Sequence, residues 1–287
     1  MITIHKALQE ARDKLENKTA TPLLDAQVIL CHVLKVDKLY LIMHKERILT
    51  KEEVYEYNEM IKKRLCGVPV QYIIGKQEFM GLDFHVEEGV LIPRPDTEIL
   101  VEKVLNSIDK DDKYNIVDIG TGSGAITISL AKYMEGSHVY SIDISKKALD
   151  IAAKNAESHG VLSRITFLNG SLFKPLNDIG VEGQIDILVS NPPYIPTADI
   201  ENLQIEVSKF EPKLALDGGE DGLDFYREII NTAPKYVRSG GLIALEVGHD
   251  QARRVIELMK EKKGYVDIEI TKDLSGIERV VSAGIKF

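Results

Sequence analysis

The first 67 residues repeat apolar positions at helical spacing. Ile4, Ala7, Leu8, Ala11 and Leu15 fall on one face of a helix that Thr3 is placed to cap. Thr21-Pro22 sets a capping residue before a proline at the first helical position, and LLDAQVILCHVL follows. A third helix is expected around Leu39–His44. Thr50 and Glu53 have the spacing of a capping box and open a fourth helix that ends near Gly67. The pattern then changes. QYIIG, QEFMG and LDFHV are short β-prone runs broken by Gly75, Gly81 and Gly89, which predicts a hairpin linker over 70–92. In PRPDTE, residues 93–98, Pro93 and Pro95 stiffen the chain, and Asp96 or Thr97 is placed to cap the helix EILVEKVL.

From residue 115 strands and helices alternate. NIVDIG, HVYSID, RITFLNG and QIDILVS read as strands, with GAITISLAKYM and SKKALDIAAKNAESHG as helices between the first three. A helix over 222–236, the strand LIALEVG and a helix over 249–263 follow, and two β runs, YVDIEIT and ERVVSAGIKF, close the chain. Repeated βα units predict an α/β fold, a mostly parallel sheet covered on both faces. Only DLSGI separates the last two strands, too little for a parallel crossover, so one of them is expected to run antiparallel. The organisation expected is a helical domain over 1–69, a β-hairpin linker over 70–92 and an α/β domain over 93–287.

Composition narrows the picture. A chain of 287 residues, 44% hydrophobic and 28% charged, can bury the cores of two domains and keep its surface solvated. No apolar run approaches a membrane span, and the opening MITIHKALQEARDKL mixes acids and bases, so a cytoplasmic location is expected. The net charge of −9 argues against broad contact with nucleic acid phosphates. It is unevenly spread: residues 1–75 hold 12 Lys/Arg and 10 Asp/Glu, the remainder 24 and 35. A mildly basic module thus precedes an acidic one, through ordinary surface variation or a partner-binding face. Cys31 and Cys66 lack zinc-ligand spacing and read as reduced thiols; no metal is expected.

Three segments carry chemistry. In VDIGTGSGA, Gly120, Thr121, Gly122, Ser123 and Gly124 lie between a strand and a helix, where glycines let a ligand approach the main chain and the helix N-terminus. The motif suits an adenosine-type cofactor without saying which. Asp143 ends the next strand and is placed to accept hydrogen bonds from ribose hydroxyls; capping the following helix is its structural alternative, a role Ser145 could also take. Asn191-Pro192-Pro193-Tyr194 follows the strand DILVS. Prolines carry no N–H, so this rigid loop keeps its carbonyls short of local donors. The Asn191 side chain and the Pro192 carbonyl make two fixed acceptors for a planar –NH₂ group, and Tyr194 an aromatic wall. That suits a conjugated amine or amide nitrogen and has no hydride-transfer logic.

Taken together, DIGTGSGAI, the aspartate of SIDIS and NPPYI are similar to the class I methyltransferases that act on nitrogen. With PRPDTE, FEPKLALDGGEDGLDFYREI and LEVGHDQ, nearly the whole chain resembles the HemK/PrmC family. The resemblance implies a class I, Rossmann-like methyltransferase fold with a mostly parallel seven-stranded sheet and a small helical N-terminal domain that recognises the substrate. It implies S-adenosyl-L-methionine as cofactor. It also implies N5-methylation of the glutamine in the Gly-Gly-Gln motif of class I peptide chain release factors. Gly120 to Gly124 would cradle the methionine part and Asp143 the ribose, while Asn191, Pro192, Pro193 and Tyr194 hold the glutamine amide. Asn191, Pro192 and Tyr194 are the catalytic candidates, with Asn191 also touching cofactor. Where family members often carry an acid near the adenine, this chain has Ser171, followed by Leu172 to pack on the base. The partner expected is the release factor, with no direct nucleic acid contact, no membrane and a monomeric enzyme. Other readings stay open at this level: another translation protein as substrate, an adenine-N6 nucleic acid methyltransferase, an NAD-dependent oxidoreductase, or a non-catalytic binding module. Arg94 reads as a ligand contact or a surface ion pair, and Glu246 as a strand-end acid facing the site or bonding only neighbouring backbone. Glu220, Asp221 and Asp224 read as a solvated face, and His85, His138 and His249 show no clustering.

Overall fold

The computed structural model describes residues 1–109 and 112–287. The chain forms two compact units, Met1–Lys76 with Gln204–Phe210, and Gln77–Leu203 with Glu211–Phe287. The first is helical, with α1 (Ile4–Leu15), α2 (Pro22–Leu34), α3 (Lys38–Met43), α4 (Lys51–Leu65) and α5 (Val70–Ile74). Thr3 caps α1 and the Thr50–Glu53 capping box is complete. Thr21 makes no cap bond; its hydroxyl donates to Asp25 at 2.8 Å. Asp25 also accepts from the buried Arg64 at 2.7 Å, and Arg64 donates on to the Val68 carbonyl and to Glu206. A buried guanidinium needs such partners, because an unpaired charge there is strongly destabilising. The same ion pair ties segment 204–210 into this unit, where Ile205 and Phe210 pack beside Gly67. Ile4, Leu15, Ile29, Leu30 and Ile61 form the core, each fully buried aliphatic side chain stabilising the fold by roughly 1.5–3 kcal/mol.

QYIIG is not a strand. Val70–Ile74 is helical, preceded by Pro69 and closed by Gly75 at φ +71°. A glycine in the left-handed conformation is a common helix terminator, and that local signal outweighs the β propensity of so short a run. The hairpin is correspondingly shorter, β1 (Lys76–Phe79) and β2 (Leu82–His85), and all but Lys76 belongs to the second unit.

That unit continues through α6 (Glu98–Asn106), β3 (Asn115–Ile119), α7 (Ala125–Tyr133), β4 (His138–Asp143), α8 (Lys146–Ser158), β5 (Ile165–Asn169) and β6 (Ile185–Ser190). After α9 (Ile205–Phe210), which belongs to the helical unit, come α10 (Asp224–Tyr236), β7 (Val237–Glu246), α11 (Ala252–Lys260), β8 (Tyr265–Lys272) and β9 (Glu278–Ile285). Seven strands form one sheet in the order β5-β4-β3-β6-β7-β9-β8. The first five run parallel and β9 is antiparallel to both its neighbours. Side chains of α6 and α7 cover one face, with Leu100, Val104, Ile128 and Leu130 buried there; α10 and α11 cover the other with Tyr226, Ile229, Val255 and Met259. The chain winds outward in opposite directions from β3 and β6, so a crevice opens at their carboxyl ends. Ile119 pairs with both Ile142 and Ser190, which sets the loops after β3, β4 and β6 at one level. No helix among the described residues is long and apolar enough to cross a membrane.

Candidate active site

A cavity of about 260 Å³ occupies this crevice, and Gly120–Ser123, Asp143, Ser171, Leu172 and Asn191–Pro193 line it. The glycine loop is held by its own backbone. Gly120 and Thr121 N–H groups donate to the Ile142 carbonyl at 2.9 and 3.1 Å. Gly122 has φ +57° with open space where a Cβ would stand, so its glycine serves backbone conformation, not clearance. Gly124 does not line the cavity: a Cβ there would stand 2.8 Å from Ile128 and 3.0 Å from Ala152, so this glycine lets α7 and α8 pack closely.

Asp143 accepts from the Gly122 N–H through Oδ2 and from the Ser145 N–H through Oδ1, both at 2.8 Å. Burial pushes its carboxyl up, and the two N–H bonds oppose that shift. Ser145, not Asp143, caps α8, accepting from Ala148. Each Asp143 oxygen keeps a lone pair for a further donor. Leu172 lies in the cavity wall at φ +52°, a conformation that costs a non-glycine residue roughly 1 kcal/mol or more and is concentrated at ligand sites.

Asn191 and the glycine loop converge. A Cβ on Gly120 would stand 3.6 Å from the Asn191 carbonyl oxygen. The Asn191 Nδ2 donates to Thr97 Oγ1 at 3.1 Å. Thr97 therefore does not cap α6, nor does Asp96; Asp96 pairs with Arg279 at 2.8 Å. The hydroxyl of Thr97 is buried against Asn191 and the carboxyl of Glu246, the acid that ends β7. Tyr194 stands outside the cavity lining, and burial pushes its phenol up to about 12, so it remains neutral. Arg94 lines the cavity and donates to both oxygens of the buried Glu211 at 2.7 Å.

The acidic GGEDGLD segment works through its glycines. Gly218 packs so closely on the Asn-Pro-Pro loop that a Cβ would meet the Tyr194 Cα at 2.8 Å and the Pro193 carbonyl at 2.9 Å. Gly222, at φ +74°, presses on the Tyr194 carbonyl, which also accepts from Gln251 at 2.8 Å. Among the acids, Asp221 pairs with Arg227 and Arg254 and falls to about 2, first through the Arg227 bond; Asp224 pairs with Arg227. His85, His138 and His249 bond separately to Glu87, Thr166 and Asp250. Cys31 and Cys66 are free thiols. Gly218, Gly222 and Gln251 are supporting residues to which spacing gave no role, and Thr97 was read only as a helix cap. The motifs PRPDTE, GGEDG and LEVGHDQ pointed near them.

A doubly wound sheet with this glycine loop, an acid ending the next strand and an Asn-Pro-Pro loop defines an S-adenosylmethionine-dependent methyltransferase. The residues fit that cofactor: Asp143 keeps lone pairs that could accept from a ribose, and Leu172 adds an apolar side chain to the same cavity. Residues 6–75 match the PrmC N-terminal domain and residues 110–274 a methyltransferase domain. The fold is similar to that of a methyltransferase from Pyrococcus furiosus, with a TM-score of 0.52 and 19% identity over 72% of this chain and 91% of that one. The chain is 42% identical to the release factor glutamine methyltransferase of Clostridium acetobutylicum over 99% of its own length and 96% of the relative's. It is also 42% identical to that of Geobacter sulfurreducens, over 99% and 97%. The chain belongs to the family of release factor glutamine methyltransferases.

Proposed function

We propose that this chain transfers a methyl group from S-adenosylmethionine to the side-chain amide nitrogen of the Gly-Gly-Gln glutamine of a class I release factor. A release factor acts at the ribosome, so the reaction belongs to the cytoplasm. The observation that carries this reading is the setting of Asn191. Its Nδ2 is engaged by Thr97, which leaves Oδ1 as an acceptor beside a cavity that Asp143 and the glycine loop also line. The bound cofactor supplies an electrophilic methyl group. An amide nitrogen is a weak nucleophile, and at neutral pH it does not lose a proton first. Asn191 Oδ1 and the Pro192 carbonyl would take the two amide hydrogens and hold the nitrogen in line, favouring it as positive charge develops. The rigid proline loop keeps this geometry without reorganisation, and the proton leaves after transfer.

The selection of one glutamine among many needs remote contacts, since one side chain discriminates by only a few kcal/mol. The helical unit is the part of the chain available for that task. The test is transfer of labelled methyl from cofactor to purified release factor, wild type and with the Gly-Gly-Gln glutamine replaced by alanine. Label is expected on the wild-type factor alone; equal labelling of both, or labelling of nucleic acid instead, overturns the reading.

A further inference from the structure

Glu246 ends β7 behind the Asn-Pro-Pro loop and is 2% exposed. The side chains of Thr97 and Asn191 face its carboxyl and favour its charged form, and Asn191 Nδ2 donates to Thr97 Oγ1 at 3.1 Å. The second oxygen, Oε2, is buried with no partner. A half-satisfied buried acid is costly, and such costs persist where the group does work.

We propose that Glu246 is a positioning residue for methyl transfer: with Thr97 it fixes the Asn191 amide so that Oδ1 faces the substrate. This rests on the reading of Asn191 as the amide acceptor. The two ends of a carboxamide have nearly the same shape, so only their partners decide which way it points. Here the direction is imposed by a chain of bonds. An ionised Glu246 can only accept. Thr97 gives it the hydroxyl proton, so toward Asn191 the Thr97 oxygen can only accept. Both acceptors then face Asn191, and only Nδ2, with its two hydrogens, satisfies them. A flipped Asn191 would set Oδ1 against two acceptors and aim N–H groups at the N–H groups of the substrate. Protonating Glu246 removes the constraint, because a carboxylic acid can donate to Thr97 and reverse the chain.

The surroundings set where that occurs. Burial pushes Glu246 up to about 7; the bonds from Thr97 and Asn191 and the charge of Arg279 on β9 oppose this, and Asp96 reinforces it. The phenols of Tyr194 and Tyr226 also face it, and Tyr226 on α10 donates to the Glu246 carbonyl at 2.8 Å. Both phenols stay neutral near pH 7, whereas Glu246 is the acid raised to about 7 against Asn191.

The experiment has two arms. In the enzyme alone, the Asn191 side-chain NH₂ signals of ¹⁵N-labelled protein, identified by their loss in Asn191→Ala, should shift with a midpoint near pH 7, and Glu246→Gln should abolish the shift. With release factor, kcat should fall tenfold per pH unit below about 7. Glu246→Gln should lower kcat at pH 8 by on the order of tenfold or more and remove that acid limb. The KM for release factor and the affinity for S-adenosylhomocysteine should hold. Thr97→Val should act like Glu246→Gln, and Thr97→Ser should restore kcat. A wild-type kcat independent of pH between 6 and 8.5, or Asn191 signals that do not titrate, overturns the proposal even where Glu246→Gln fails to fold. Titrating Asn191 signals without any methyl transfer to release factor would fault the substrate reading and leave the positioning role standing.

Discussion

Asp118 lies fully buried on β3, with one carboxyl oxygen accepting from Thr127 at 2.6 Å and the other without a partner. Burial, aided by the nearby charge of Asp143 and opposed by the Thr127 bond, pushes it up to about 7. In the unfolded chain an aspartate ionises near 4. Between these values the folded state holds a proton that the unfolded state has released. The stability tied to this group is therefore full below about pH 4 and is lost as pH rises through about 7. At about 1.4 kcal/mol for each tenfold in proton affinity, full ionisation costs on the order of 4 kcal/mol. Asp118→Asn keeps the shape and an acceptor for Thr127 and cannot ionise. Its Tm should exceed that of the wild type at pH 8 and come close to it at pH 5. Recovering even about 1 kcal/mol moves Tm by about 2–4 °C. Equal Tm differences at both pH values would show that Asp118 does not ionise in this range.

At the scale of elements, the site is built by loops that follow β3, β4 and β6 and by a later segment that braces them. Gly218 is the closest brace. The atoms its Cβ would strike belong to the backbone of Pro193, Tyr194 and Gly222, so no flexible side chain can yield. Gly218→Ala should displace the Asn-Pro-Pro loop and lower kcat by on the order of 10²-fold, because misplacing a positioning group by about 1 Å costs that much. Affinity for S-adenosylhomocysteine, measured by calorimetry, should change far less; a kcat within twofold of wild type would show that the loop absorbs the clash. The βα alternation, the antiparallel final pair, the glycine loop, Asp143 and NPPY were legible in sequence because each is a local pattern. Val70–Ile74 was misread because a five-residue, mostly apolar run fits either period, although Gly75 carried the helix-ending signal. Gly124 was assigned to the cofactor; its part in helix packing was not legible, because that requires knowing that Ala152 lies opposite. Thr97, Asn191 and Glu246 lie far apart in sequence; the pairing of β6 with β7 sets Asn191 beside Glu246, and the turn before α6 brings Thr97 to Asn191.

On the scale of the whole molecule, the chain forms two compact units, and recognition of the protein substrate is the task proposed for the helical one. The helical unit carries three exposed apolar side chains on α3, Leu39, Ile42 and Met43, which are 61%, 67% and 69% exposed and share one helix face by spacing. Such a stripe gains nothing from water and suits contact with a protein partner. Deleting residues 1–67 is a poor test of this, because segment 204–210 would lose Arg64 and its cover beside Gly67, and that segment adjoins the active-site loop in sequence. The full-length double variant Ile42→Glu/Met43→Glu keeps that packing and places charge on the stripe. Removing apolar contacts at the centre of an interface commonly costs more than about 1 kcal/mol each. For intact release factor, KM should therefore rise about tenfold or more while kcat holds. For a short Gly-Gly-Gln peptide, too small to reach a remote surface, kcat/KM should match the wild type. Equal loss on both substrates would place the defect in the catalytic unit, and no loss on either would free α3 of any part in selecting the partner.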